Sequence, residues 1–150
     1  GVYIKGPGSN FFQVDGTPAA TRLASHYDQV VFFNTQTSTF NSIQVKNVYN
    51  YSDAKAKENI QSLSQSLSIL KLLRPVSYNF TDNSDNTKFR KGGDGKEIGL
   101  LAQEVEQVLP NIVLTDPDGN KLINYTSLIA VLIDAVKDLN EKVSALEAQQ

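Results

Sequence analysis

The sequence predicts an α+β fold, and three observations carry that expectation. The first third of the chain is charge-poor and rich in aromatic and β-branched residues. Apolar residues at helical and strand spacings then alternate over residues 52–125. The last twenty or so residues repeat apolar side chains in heptads. Read in order, this is a β-rich segment (1–51), then a small helix–strand–helix–hairpin domain ending in a long coiled-coil helix (52–150).

Residues 1–51 hold only Lys5, Asp15, Arg22, Asp28 and Lys46 as charged side chains. Tyr3, Phe11, Phe12, Tyr27, Phe32, Phe33 and Phe40, set among Asn, Gln, Ser and Thr, read as short strands and turns rather than as a disordered linker. Such strands must be paired, within or between chains, because an uncharged, apolar edge invites aggregation.

Past Ser52, Ile60, Leu63, Leu67 and Leu70 recur at steps of three and four, predicting one helix that ends before Pro75. Val76, Tyr78 and Phe80 alternate as a strand, and residues 81–95, full of Asp, Asn and Gly, read as a loop. Leu101, Val105, Val108 and Leu109 predict a second helix between Gly99 and Pro110. Residues 112–115 and 122–125, joined through Asp116-Pro117-Asp118-Gly119, predict a hairpin. In the last helix, about 127–147, Ile129, Val136 and Val143 hold one heptad position and Leu132, Leu139 and Leu146 the other. That seam reads as an oligomerisation surface, with Lys142 and Glu147 placed to pair between helices, the other reading being an amphipathic helix packed on its own domain. The pattern leaves the number of helices open.

Composition closes off several functions. The 150 residues include no Cys, Met or Trp and one His, with a net charge of −2. Disulfide frameworks, thiolate metal centres and cysteine nucleophiles are excluded, as is a multi-histidine metal site. No basic excess points to nucleic acid, and no apolar run approaches membrane-spanning length. No metal, cofactor, nucleic-acid or membrane partner is expected. Starting at Gly1 and lacking Met, the chain reads as part of something longer. His26 is expected to be a strand or turn residue without a role. The Asp116–Gly119 turn lacks the ligand pattern of a calcium loop, and Gly92-Gly93-Asp94-Gly95 that of a phosphate loop.

The most chemically suggestive stretch is Tyr51-Ser52-Asp53-Ala54-Lys55-Ala56-Lys57-Glu58-Asn59-Ile60, which reads either as a Ser–Lys pair or as a common helix cap beside a solvated lysine. Asp53 is expected to cap a helix start, which places Ser52 just before the cap and Lys57 at the fourth helical position. Side chains at those two positions meet across a helix start. A neutral amine there takes the proton of the Ser hydroxyl, and desolvation and the positive helix end both favour that neutral form. The expected electrophile is the carbonyl of Tyr51, so the Tyr51–Ser52 bond is the candidate cleavage site.

Four blocks stand in order: residues 52–60, Leu73-Arg74-Pro75-Val76-Ser77-Tyr78-Asn79-Phe80, Ile98-Gly99-Leu100-Leu101-Ala102-Gln103-Glu104-Val105 and Ile123-Asn124-Tyr125-Thr126-Ser127-Leu128. Together, over about residues 52–147, they resemble the intramolecular chaperone domain of phage tail spikes, tail fibres and endosialidases. This auto-processing peptidase domain is also found in myelin regulatory factor. Lys55 and Ala56 stand where many members have Arg and a larger apolar residue. The resemblance implies a homotrimer that registers an upstream β-rich fibre of the same chain and then cuts itself free. It implies Ser52 as nucleophile, Lys57 as its dyad partner, and supporting roles for Asp53 and Asn59. It also implies a place in a phage or prophage tail fibre, or at a cell surface, with assembly in the host cytoplasm. The alternatives are a non-cleaving trimerisation module of the same fold, and a carbohydrate- or host-binding tip using the aromatics of residues 1–51, which otherwise pack between chains.

Overall fold

In the computed structural model, residues 1–26, 29–81 and 96–150 are described. The chain divides into two compact units, with the first boundary between Asn50 and Tyr51.

The first unit carries a three-stranded antiparallel meander, β1 (Val2–Lys5), β2 (Phe11–Gly16) and β3 (Thr21–Ser25). Val2 pairs with Val14 and Val14 with Leu23, while Asp15 pairs with Arg22. Because side chains alternate across a strand, this register assigns every residue to a face. Tyr3, Lys5, Phe11, Gln13, Asp15 and Arg22 share one face, and Val2, Ile4, Phe12, Val14 and Leu23 the other. On the first face Tyr3 stacks on Phe11 at 5.4 Å, and the exposed His26 ring sits edge-on to Phe11 at 6.0 Å. There too Asp15 accepts from the Arg22 guanidinium at 2.8 and 2.9 Å, which holds its carboxyl below the usual range. A second hairpin, β4 (Phe33–Asn34) and β5 (Thr39–Phe40), turns on the Asn34 side chain, which accepts from the Gln36 amide at 2.9 Å.

The second unit departs from expectation at its start. One helix is predicted to carry Ile60, Leu63, Leu67 and Leu70, yet only a 3₁₀ turn (Ala54–Ala56) and a short helix α1 (Ser66–Leu70) form. Asn59 and Gln65 adopt left-handed φ of 53° and 61°, which breaks the helical hydrogen-bond ladder between them. Ile60 is consequently 71% and Leu63 51% exposed, while Leu67 and Leu70 remain half-buried.

Strand β6 (Val76–Tyr78) pairs with β7 (Glu97–Gly99); Phe80, expected in the strand, lies beyond it with its ring edge-on to Tyr78. Of the predicted 81–95 loop, residues 82–95 lie outside the described residues, and with them the Gly92–Gly95 stretch; so do Tyr27 and Asp28. Helix α2 (Ala102–Val108) buries Val105 completely, and a 3₁₀ turn at Pro110–Ile112 leads into β8 (Val113–Thr115) paired with β9 (Lys121–Ile123). Between them Asp116 accepts from the backbone amides of Asp118 (2.9 Å) and Asn120 (2.8 Å) and from the Asn120 side chain (3.0 Å), while Gly119 takes φ 87°. Those donors, led by the Asn120 amide, pull the Asp116 carboxyl below its ordinary 3.8. A depressed folded value adds stability above the unfolded pKa and loses it as pH falls through the folded one. Asn120→Ala should therefore move the Asp116 carboxyl resonance in an NMR titration to higher pH.

Helix α3 (Ser127–Glu147) matches its predicted span. It packs on α1, burying Leu128, Val131 and Ala135 on one side. The heptad residues lie elsewhere on its surface: Ile129, Leu132, Val136, Leu139, Val143 and Leu146 are all 44–63% exposed. Lys142, expected to reach Glu147 of a neighbour, lies 3.7 Å from Asp138 of its own helix.

Candidate functional site

The site begins with a turn. The Asp53 carboxylate accepts from the Lys55 amide at 2.9 Å and caps the turn Ala54–Ala56, at whose far end stands Lys57. Asp53 is a cap, as expected, but of a 3₁₀ turn; Lys57 is the residue after that turn and not the fourth position of a helix. A single such turn carries little of the macrodipole expected from an α-helix. It still folds the chain back far enough for Lys57 Nζ to donate to Ser52 Oγ at 2.5 Å.

Both residues are exposed in the single chain, as is Tyr51 at 83%. Asn59, two residues on, takes the left-handed conformation that Asn tolerates better than most side chains. Among the described residues no cluster of three His, Cys, Asp or Glu is placed to hold a metal ion.

Contacts that the sequence did not disclose tie the other motif blocks together. Arg74, from the block around Pro75, meets Glu104 of α2 at 2.5 Å, and this partner raises the guanidinium's pKa. The Tyr125 hydroxyl accepts from the Leu100 amide at 2.9 Å, next to Gly99. A Cβ on Gly99 would sit 2.6 Å from that hydroxyl, so glycine is required for the two segments to close. Lys121 bridges to Glu106 at 2.9 Å and holds the hairpin to α2. The order of the blocks was the sequence signal for these contacts, but spacing alone does not say which residue touches which.

Two stability results follow from the Tyr125–Gly99 closure. Tyr125→Phe should cost about 0.5–1.5 kcal/mol, the worth of one hydrogen bond. Gly99→Ala should cost more by displacing the ring, and the double variant less than the sum of the two, because the next atoms are 3.5 Å from the new methyl. Urea midpoints at one fixed chain concentration measure the coupling.

Comparison with known proteins finds a family and several relatives. Residues 52–114 match the family described as chaperone of endosialidase, which is classed among the peptidases. The chain is 32% identical over 124 residues to the long tail fiber protein Gp37 of Enterobacteria phage K3 and, equally, to that of Enterobacteria phage T2; each match covers 79% of this chain. It is 31% identical over 108 residues, 69% of the chain, to the same protein of Escherichia phage AR1. In each case the chain spans 9% of the relative's length. A capped turn at Ser52, three further motif blocks joined through Arg74–Glu104 and Tyr125–Leu100, and this likeness converge: through residues 52–114 the chain belongs to the chaperone-of-endosialidase family, in the form related to phage tail fibres.

Proposed function

We propose that the chain is a tail-fibre chaperone that associates as a homotrimer, aligns an upstream β-rich segment, and then severs itself at the Tyr51–Ser52 bond. The observation that carries the cleavage is the 2.5 Å contact between Lys57 Nζ and Ser52 Oγ. With the amine neutral, the proton runs the other way along the same contact, and Oγ becomes nucleophilic. Oγ bonds to the Tyr51 carbonyl carbon, the carbon–nitrogen bond breaks, and Lys57 returns the proton to the departing Ser52 amine. Water then adds to the resulting ester carbon, releasing a Tyr51 carboxylate and restoring the Ser52 hydroxyl.

Association fits the same scheme. Strands that find partners across three chains have high contact order and pair slowly, and joining the chains first raises their effective concentration. The seam on α3 supports that joining: it is exposed in the single chain, and Ile129, Leu132, Ile133, Val136 and Lys137 border a groove of about 340 Å³ along it. Cleavage afterwards leaves the fibre held by its unfolding barrier. The likeness to long tail fibre proteins supports a place in the virion tail fibre. Among the described residues no helix is long and apolar enough to cross a membrane.

The exposure of Ser52 and Lys57 favours one rival, a trimerisation module that never cuts, because water reaches both side chains in the single chain. Prolonged incubation followed by denaturing mass spectrometry, beside a native mass, decides between them. Fragments of residues 1–51 and 52–150 support cleavage; an intact chain within a proven trimer overturns it.

A further inference from the structure

Cleavage at Tyr51–Ser52 would differ from ordinary serine peptidase chemistry in one respect: nucleophile and leaving group belong to the same residue. When Ser52 Oγ takes the Tyr51 carbonyl carbon, the departing amine is the backbone nitrogen of Ser52 itself. It cannot diffuse away. The hydrogen bonds of the adjoining turn run from the Lys55 amide to the Asp53 carboxylate (2.9 Å), the Ala56 amide to the Asp53 carbonyl (3.0 Å) and the Lys57 amide to the Ala54 carbonyl (3.1 Å). All of them lie on the C-terminal side of the bond, so breaking it disturbs none. The amine then faces the new ester at an effective concentration on the order of 10⁵ M or more, and the acyl group returns to nitrogen many times for each capture by water. Tyr51 is 83% exposed, with Ser52 and Lys57 exposed beside it, so the ester is open to small solutes as well as to water.

We propose that this is an acyl-transfer site, which hands the Tyr51 carbonyl to a small neutral amine in preference to water. The proposal rests on the self-cleavage reading and deepens it by naming a second class of acceptor. Once Lys57 has passed the Oγ proton to the Ser52 nitrogen it is neutral again, in a pair whose resting separation is 2.5 Å. The acceptor nitrogen bonds to the ester carbon, Lys57 takes a proton from it and delivers that proton to Oγ, and the bond from the carbon to Oγ breaks. The products are an amide on Tyr51 and a free Ser52 hydroxyl and amine, with no water consumed. The chemistry of the return step selects the acceptor. Return of the acyl group to the Ser52 nitrogen is itself attack by an amine on this ester, so a second amine needs no new catalytic group.

Hydroxylamine is the probe. The bond it ordinarily cuts in unmodified protein, Asn–Gly, does not occur in the sequence, and there is no Cys to form a thioester. The full chain is incubated at neutral pH with and without hydroxylamine, beside Ser52→Ala, and fragment masses are followed in time. The expected result is at least several-fold faster release, with the fragment of residues 1–51 ending in a hydroxamic acid on Tyr51 and no release from Ser52→Ala. A hydroxamate end at an unchanged rate also supports transfer, with ester formation as the slow step. Release that still ends in a carboxylate overturns transfer and leaves self-cleavage standing. A chain that stays intact with and without hydroxylamine overturns both. Equal hydroxamate from Ser52→Ala shows direct attack on the peptide bond and overturns the transfer.

Discussion

Ser52→Ala is expected to leave the chain folded and associated but uncut, with the fragment of residues 1–51 absent after any length of incubation. The side chain is exposed and contributes one contact, with Lys57, so its removal costs little stability. Removing the nucleophile of a serine peptidase costs rate on the order of 10⁴-fold or more. Lys57→Ala should be equally inert. Lys57→Arg separates a base from a mere hydrogen-bond donor: guanidinium can still donate to Ser52 Oγ, but it stays protonated and cannot take the hydroxyl proton. If Lys57 is the base, Arg is as inactive as Ala. Substantial cleavage by the Arg variant would reduce Lys57 to a positioning role. Intact-chain mass against time measures all three variants.

The second large effect concerns α3. Leu139→Asp is expected to reduce the native mass to that of a single chain while leaving the domain's own core formed. Leu139 is half exposed and belongs to the heptad seam, whereas the core of the second unit uses Leu128, Val131 and Ala135 on a different stripe. Losing a buried leucine costs about 2–5 kcal/mol. At about 1.4 kcal/mol per tenfold in affinity, a loss repeated in every copy removes association over many decades of concentration. The desolvation of the introduced carboxylate adds to it. Val131→Asp, in contrast, should unfold the unit. If association is what dries the Ser52–Lys57 pair, Leu139→Asp also slows cleavage, and crowded or concentrated samples regain it. A Leu139→Asp chain that keeps the wild-type mass would remove the seam from the assembly. Analytical ultracentrifugation and circular dichroism, read side by side, separate the two stripes.

How much of this was legible in the sequence differs from element to element. The last helix was legible almost to the residue, because heptad spacing is a long-range, redundant signal that local chemistry does not override. The hairpin around Asp116-Pro117-Asp118-Gly119 was legible because its turn residues have conformations few others adopt. The helix through Ile60 and Leu63 was misread. Apolar spacing there matched a helix, but Asn59 and Gln65 in left-handed backbone break it, and nothing in a periodicity records a φ angle. The approach of Ser52 to Lys57 was legible for a partly wrong reason: the spacing expected across a helix start is also spanned by a lone capped turn. Arg74–Glu104 and Tyr125–Leu100 were not legible, since each joins segments about 25 to 30 residues apart and depends on the tertiary fold.

The two separate stripes of α3 have a consequence in genetics. A lesion in the stripe that includes Val131 should remove the product altogether, and one in the seam, if the seam joins the chains as proposed, should leave a folded chain that cannot join its neighbours. Both should be recessive in a mixed infection, because the damaged copies never enter a wild-type assembly. A lesion at Ser52 touches neither stripe. If the chain associates and cuts itself as proposed, its product joins wild-type copies freely and carries an uncut chaperone into the shared fibre, so the smallest chemical change in the chain should behave as the dominant one.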